Sequence, residues 1–239
     1  MKITQHGQYL IKLTRLGAFN CYLVREEDGF TLVDTNMAGS ANGILAAARK
    51  LDAPIVRIAL THAHNDHAAS LDKLAAQLPN AEVVMGARTA AFLRGEMALR
   101  PDEPTDPLRG GYITCTTEPT RLLQPGDYVG SLEVIATPGH TPDHLSFWDR
   151  RDGSLIAGDA FQTKAGIAVA GSMRWLFPFP ALATWHKETA LHSAQRLLDR
   201  QPTRLAVGHG AVLEQPQSAM LHAIEAAGGK VTHGAQQTA

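Results

Sequence analysis

The stretch THAHNDHAAS, residues 61–70, places three histidines and an aspartate within the six positions from His62 to His67. Histidine and aspartate are mediocre formers of helix and sheet, and crowded imidazoles repel one another once they protonate. A metal centre accounts for the crowding directly. Upstream, IVRIAL (residues 55–60) is a short apolar run that reads as a buried strand. Downstream, Leu71, Leu74 and Leu78 have helical spacing, with Asp66 or Ser70 able to start the helix. The cluster therefore sits on a strand-to-helix loop.

Working outward, residues 9–15, 20–25 and 30–34 alternate β-branched, aromatic and polar residues between glycine-containing breaks, which predicts short antiparallel strands. An Ala-rich segment over residues 40–51, with Ser40 as a possible cap, predicts a helix. The second half repeats this outline, with strands at 132–137, 145–148, 154–157 and 204–207 and a helix over 184–199. Three of those strands run into polar residues beside glycine: TPGHTPDH carries His140, GDA carries Asp159 and GHG carries His209. Glycine lets the backbone turn sharply and approach a site, so these ends are expected to converge on the first cluster.

Residues two apart in an extended segment project to one side, so His62 and His64 can hold one ion while Asp66 and His67, past the turn, reach a second. His140 then completes the first site, His209 the second, and Asp159 can bridge them. Imidazole with carboxylate and no thiolate suits Zn²⁺ best, ahead of Mn²⁺ or Fe. Two ions roughly 3.5–4 Å apart lower the pKa of a bridging water to about 7 and aim the hydroxide at a carbonyl or phosphorus. That is hydrolytic chemistry, with Asp66 and Asp159 the carboxylates closest to it.

Taken together, THAHNDH, TPGHTPDH, AGDA and VGHG resemble the metallo-β-lactamase superfamily, over most of the chain from VDT at residues 33–35 to His209. The resemblance implies an α/β fold, a four-layer αββα sandwich of two βα halves, with a dinuclear centre in a cleft at one edge of the facing sheets. It implies His62, His64 and His140 as ligands of one metal, Asp66, His67 and His209 of the other, Asp159 as the bridge, and Asp34 as an orienting residue beside the site. The thirty residues after His209 leave no room for the helical domain that recognises glutathione thioesters in glyoxalase II. The acyl-homoserine lactonases are similar in size and ligands, but carry a tyrosine where this chain has Gln162. His144 reads either as support for the site or as a structural histidine. His6, His186, His192, His222 and His233 have no supporting pattern.

Composition bounds the rest. The 239 residues are 44% hydrophobic, enough for one domain over 1–239. With 22 Lys plus Arg against 23 Asp plus Glu and no basic stripe, nucleic acid is not an expected partner. The amino terminus lacks an apolar core and no 18 apolar residues run together, so neither a signal peptide nor a membrane span is expected, and the expected compartment is the cytoplasm. Cys21 and Cys115 are too few and too far apart for a disulfide framework or a thiolate zinc site. Two insertions, near 95–119 and 161–183, are expected to decide the substrate. The second contains RWLFPFP, whose prolines argue against a helix and whose apolar residues would roof the pocket, form a homodimer contact or pack on their own domain. The expected activity is a dinuclear zinc hydrolase acting on a small ester, lactone or thioester. An iron persulfide-dioxygenase-like enzyme and a β-lactam hydrolase are the alternatives.

Overall fold

The computed structural model describes residues 1–229, so His233 lies outside the described residues. The amino-terminal half builds a seven-stranded sheet from β1 (Lys2–His6), β2 (Leu10–Arg15), β3 (Phe19–Arg25), β4 (Phe30–Val33), β5 (Ile55–Ala59), β6 (Glu82–Gly86) and β7 (Arg121–Leu123), standing side by side in chain order. β1 to β4 pair antiparallel and β4 to β7 parallel. Parallel neighbours need crossovers, and these carry α1 (Ala41–Lys50), the pair α2 (Asn65–Ala68) and α3 (Leu71–Gln77), and α4 (Ala87–Leu93).

The second half contains β8 (Tyr128–Val129), β9 (Leu132–Ala136), β10 (Leu145–Asp149), β11 (Ser154–Ile156), the separate hairpin β12 (Phe161–Gln162) with β13 (Ala168–Val169), helices α5 (Phe179–Leu182) and α6 (Lys187–Leu198), strands β14 (Arg204–Ala206) and β15 (Leu213–Glu214), and α7 (Gln217–Ala226). Its six-stranded sheet runs β15-β14-β11-β10-β9-β8, with only β11 and β14 parallel.

The period of two along each strand sorts side chains into layers. Tyr22, Val24, Val33 and Val84 of the first sheet meet Val134, Phe147, Ile156 and Ala206 of the second. The opposite face of the first sheet, with Leu13, Leu23 and Ile58, packs against Ile44, Leu71 and Phe92 of its helices. On the far side, Leu155 and Leu205 pack against Leu197 of α6 and Met220 and Ile224 of α7. The result is the αββα sandwich.

Several boundaries differ from the sequence reading for local reasons. Ser40 occupies the N-cap of α1 without capping it; its hydroxyl accepts from Arg15 and donates to the Asn36 side chain instead. Both candidate starts after β5 are used in part, since α2 begins at Asn65, one residue before Asp66, and α3 follows Ser70. The helix expected from residue 184 begins at Lys187, because Thr184 donates its hydroxyl to the Pro180 carbonyl and His186 caps the helix by accepting from the Thr189 N–H. The RWLFPFP segment does lead into a helix, α5, with Pro180 in its first turn, where the missing N–H is not needed. The span 161–183 also begins with core, since Phe161 and Val169 of the β12–β13 hairpin are buried against the outer helices. The two cysteines are unpaired.

Candidate metal centre

Parallel and antiparallel pairing bring the carboxyl ends of β4, β5, β9, β11 and β14 to one edge of the sandwich, and each end delivers polar side chains. Asp34 follows β4; His62, His64, Asp66 and His67 follow β5; His140, Asp159 and His209 follow β9, β11 and β14. All are buried except Asp66, whose side chain is 21% exposed. Donor atoms fall into three overlapping groups, each within 4.8 Å: His62, His64 and His140; His62, His67 and Asp159; Asp66, His67 and His209. Asp159 Oδ2 lies 3.4 Å from His140 Nε2 and 3.1 Å from His209 Nε2, and Asp159 Oδ1 lies 3.5 Å from His67 Nε2. The carboxylate thus faces both halves of the cluster. Gly208 makes room for it: a Cβ there would fall 2.1 Å from Asp159 Oδ1.

The far nitrogen of each of the five imidazoles is already engaged. His64 Nε2–H donates to the Arg109 carbonyl at 2.9 Å, and His209 Nδ1–H to the Ala18 carbonyl at 3.3 Å. His67 Nδ1–H donates to Asp34 Oδ2 at 2.7 Å. Thr61 gives its hydroxyl proton to Asp34, so its oxygen accepts from His62 Nδ1–H at 3.0 Å. By the same logic Thr184, donating to Pro180, accepts from His140 Nδ1–H at 3.1 Å. In the neutral rings these partners leave the inward nitrogen as a bare lone pair. His64 Nδ1 stands 3.2 Å from His62 Nε2 and 3.1 Å from His140 Nε2, close to the edge of about 3.4 Å expected of a tetrahedron with 2.0–2.1 Å bonds. Three lone pairs that close repel unless a cation lies between them. His67 Nε2 and Asp159 Oδ1 are also buried without a hydrogen-bond partner. The donor set fits two divalent ions.

Electrostatics separate the two halves. Burial, reinforced by neighbouring imidazoles, holds His62 and His140 well below the ordinary histidine value; burial also lowers His64. In the other half burial opposes the shift but loses: Asp159 and Asp66 lift His209 to about 9, and Asp159, Asp34 and Asp66 lift His67 well above its ordinary value. In return, His67 and His209 hold the Asp66 and Asp159 carboxyls low against burial.

Other residues support the donors, among them Asp143 and His144 at the end of the TPGHTPDH motif. His144 Nε2 accepts the Asp159 backbone N–H at 3.0 Å, and its Nδ1–H donates to Thr137 at 2.8 Å. Its role is therefore support of the Asp159 loop, and burial keeps it neutral, with its pKa lowered to about 3. Asp143 Oδ2 accepts the N–H of Ala63, the residue between His62 and His64, at 3.0 Å. The loop near 95–119 closes one side, where Gly111 O accepts from the Asn65 N–H and the Tyr112 ring meets His64 edge-on at 4.7 Å. Gln162 is buried, with neither side-chain polar atom partnered. His6 and His186 lie away from the metal donors, near Glu214 and at the α6 cap.

The centre opens into a cavity of about 450 Å³ whose wall includes Phe19, Met37, Asn65, Phe179, Leu182 and Ala183. No lysine or arginine is among its lining residues. Phe177 is buried over His209, with ring centroids 5.4 Å apart, whereas Trp175 and Leu176 are 87% and 91% exposed and line no part of the cavity.

Comparison with known proteins agrees with this architecture. The chain is 50% identical to the uncharacterised protein YobT of Bacillus subtilis (strain 168), over 95% of this chain and 99% of that one. It is 29% identical to the probable metallo-hydrolase YflN of the same organism, over 80% of each chain. The crystal structure of TTHA1623, solved in a di-iron-bound form, superposes with a TM-score of 0.63 at 25% identity, covering 89% of this chain and 97% of that one. The family model for the metallo-beta-lactamase superfamily matches residues 15–209. The chain belongs to the metallo-β-lactamase superfamily.

Proposed function

We propose that this metal-dependent hydrolase binds two zinc ions and cleaves a small, neutral, partly apolar ester, lactone or thioester in the cytoplasm. The observation that carries the reading is Asp159, whose carboxylate faces His140 of one donor group and His67 and His209 of the other. When bound, the ions supply a water acidified to near neutrality and polarise the carbonyl under attack. The chain supplies position and proton handling. Asp159 is held by its own backbone bond to His144 and by the space left at Gly208. Asp66, the most exposed of the donors that line the cavity, is kept ionised by His67 and His209 and is placed to accept a proton from the attacking water. Asn65 lines the same wall and offers an amide to the substrate oxygen.

The lining decides among substrates. Without a lysine or arginine, the cavity offers no ion pair to the carboxylate of a β-lactam or of a glutathione thioester, while Phe19, Met37, Phe179 and Leu182 suit an acyl chain. The di-iron form of TTHA1623 favours iron as a second reading of the metal, and the same donors accept it. Elemental analysis with an activity panel separates the readings. About two zinc ions per chain with turnover of neutral esters or lactones supports the proposal, and iron with oxygen consumption rejects it. For assembly, the bare Trp175 and Leu176 support a homodimer. Sedimentation of the wild type beside a W175S/L176S variant tests this, and a wild-type monomer rejects it.

A further inference from the structure

A second concavity, of about 340 Å³, opens where the β1–β2 end of the first sheet meets the loops after β12 and β14, and Lys2, Thr4, Lys12, Thr14, Thr163 and Lys164 line it. The strand register pairs Lys2 with Thr14 and Thr4 with Lys12. All four side chains therefore share one face, with the two ammoniums on a diagonal. Lys164 adds a third cation from across the groove. No aspartate or glutamate is among the lining residues, and none of the three lysines makes an ion pair among the described residues. Lys12 and Lys164 instead donate to the Gly210 and Gly17 carbonyls, at 3.3 and 3.1 Å, which fixes their heads at the rim. Like charges on neighbouring strands destabilise a sheet face. Burial and the proximity of Lys2 both depress the Lys12 ammonium below its ordinary value.

We propose that this concavity binds a phosphate-type anion, either free or at the end of a small organic molecule. Three ammoniums from three elements, each with N–H groups to spare, match a group that carries two charges and several acceptor oxygens. The Thr4 hydroxyl adds a neutral donor on the same face. The space exceeds that of a bare phosphate, leaving room for an attached carbon skeleton. The site lies behind the metal centre. The Thr163 and Lys164 N–H groups bond to the His209 carbonyl, and the carbonyls of Gly17 and Ala18 receive Lys164 and His209 respectively. An anion held there ties together the segments that carry His209.

The test is calorimetric titration of the metal-loaded full chain with inorganic phosphate and with glycerol 1-phosphate, at constant ionic strength so that general screening does not change. The wild type is compared with K2Q, K12Q, K164Q and the exposed-lysine control K73Q. The expected result is saturable binding of one phosphate per chain, weakened about tenfold or more by each groove substitution and unchanged by K73Q. Tighter binding of the glycerol ester assigns a carried phosphate, and equal binding a free one. If K12Q fails to fold for want of its Gly210 bond, K2Q and K164Q, which lack that contact, decide the matter. No saturable binding overturns the proposal. So does binding that survives K2Q and K164Q together, which belongs to the metal centre.

Discussion

Asp159 sits where two donor groups meet, and its neighbours keep it there. If its carboxylate is shared by two ions, Asp159→Ala removes a ligand from both and leaves two cations facing each other with less negative charge between them. The expected outcome is loss of about one metal per chain together with kcat, in a protein whose circular dichroism is unchanged. Retention of both metals with near-normal turnover excludes the bridge. His144 makes a separate, pH-dependent contribution. Its folded pKa of about 3 lies below the unfolded value near 6.5. The unfolded chain therefore binds the extra proton between those limits, and the stability contributed by the neutral ring is complete above pH 6.5 and lost as pH falls toward 3. Between pH 6.5 and 5 the loss is about 2 kcal/mol. Denaturant melts of the metal-free wild type should show a steeper acid loss than melts of His144→Gln, and parallel curves would remove His144 as the source.

At the scale of elements, α5 is only four residues long, yet Phe179 and Leu182 form part of the apolar wall of the cavity and Thr184, just beyond it, orients His140. Phe179 is 64% exposed, so its loss costs little stability. Phe179→Ala should raise KM several-fold for a long-chain neutral ester while leaving kcat and metal content near wild type, and equal KM values across a chain-length series would move the acyl site elsewhere. This helix also marks the boundary of what the amino-acid order reveals. Strands such as β5 and β9 are legible because their apolar runs stop abruptly at chemistry-bearing residues, the histidine cluster after β5 and Gly139 with His140 after β9. β12 and β13 are two residues each, and β1 carries polar residues at an edge; they exist because a partner strand accepts them. The seven clustered donors were readable for a similar reason, since histidines and aspartates are costly beside a core unless something binds them. Their holders were not: the carbonyls of Arg109 and Ala18 have no side-chain signature, and the hydroxyls of Thr61 and Thr184 are ordinary in sequence.

Over the whole molecule, the donors come from both sheets, His62 to His67 from the first and His140, Asp159 and His209 from the second. Bound ions therefore act as cross-links between layers otherwise joined by apolar packing and by a few bonds such as that from the Tyr22 hydroxyl to the Val207 carbonyl, at 2.7 Å. Chelation should lower Tm on the order of 10 °C, reversed by adding Zn²⁺ back, and an unchanged Tm would show that the empty centre holds itself together. The donors follow strand ends, whereas six of the nine other residues that line the cavity come from two excursions, Gly110 with Gly111 and the segment from Phe179 to Ala183. Heritable change can therefore act on these two parts independently. Insertions and substitutions in the excursions can recruit new substrates while the reactive core stays intact, so a lineage built on this framework can diversify its diet without first losing its chemistry.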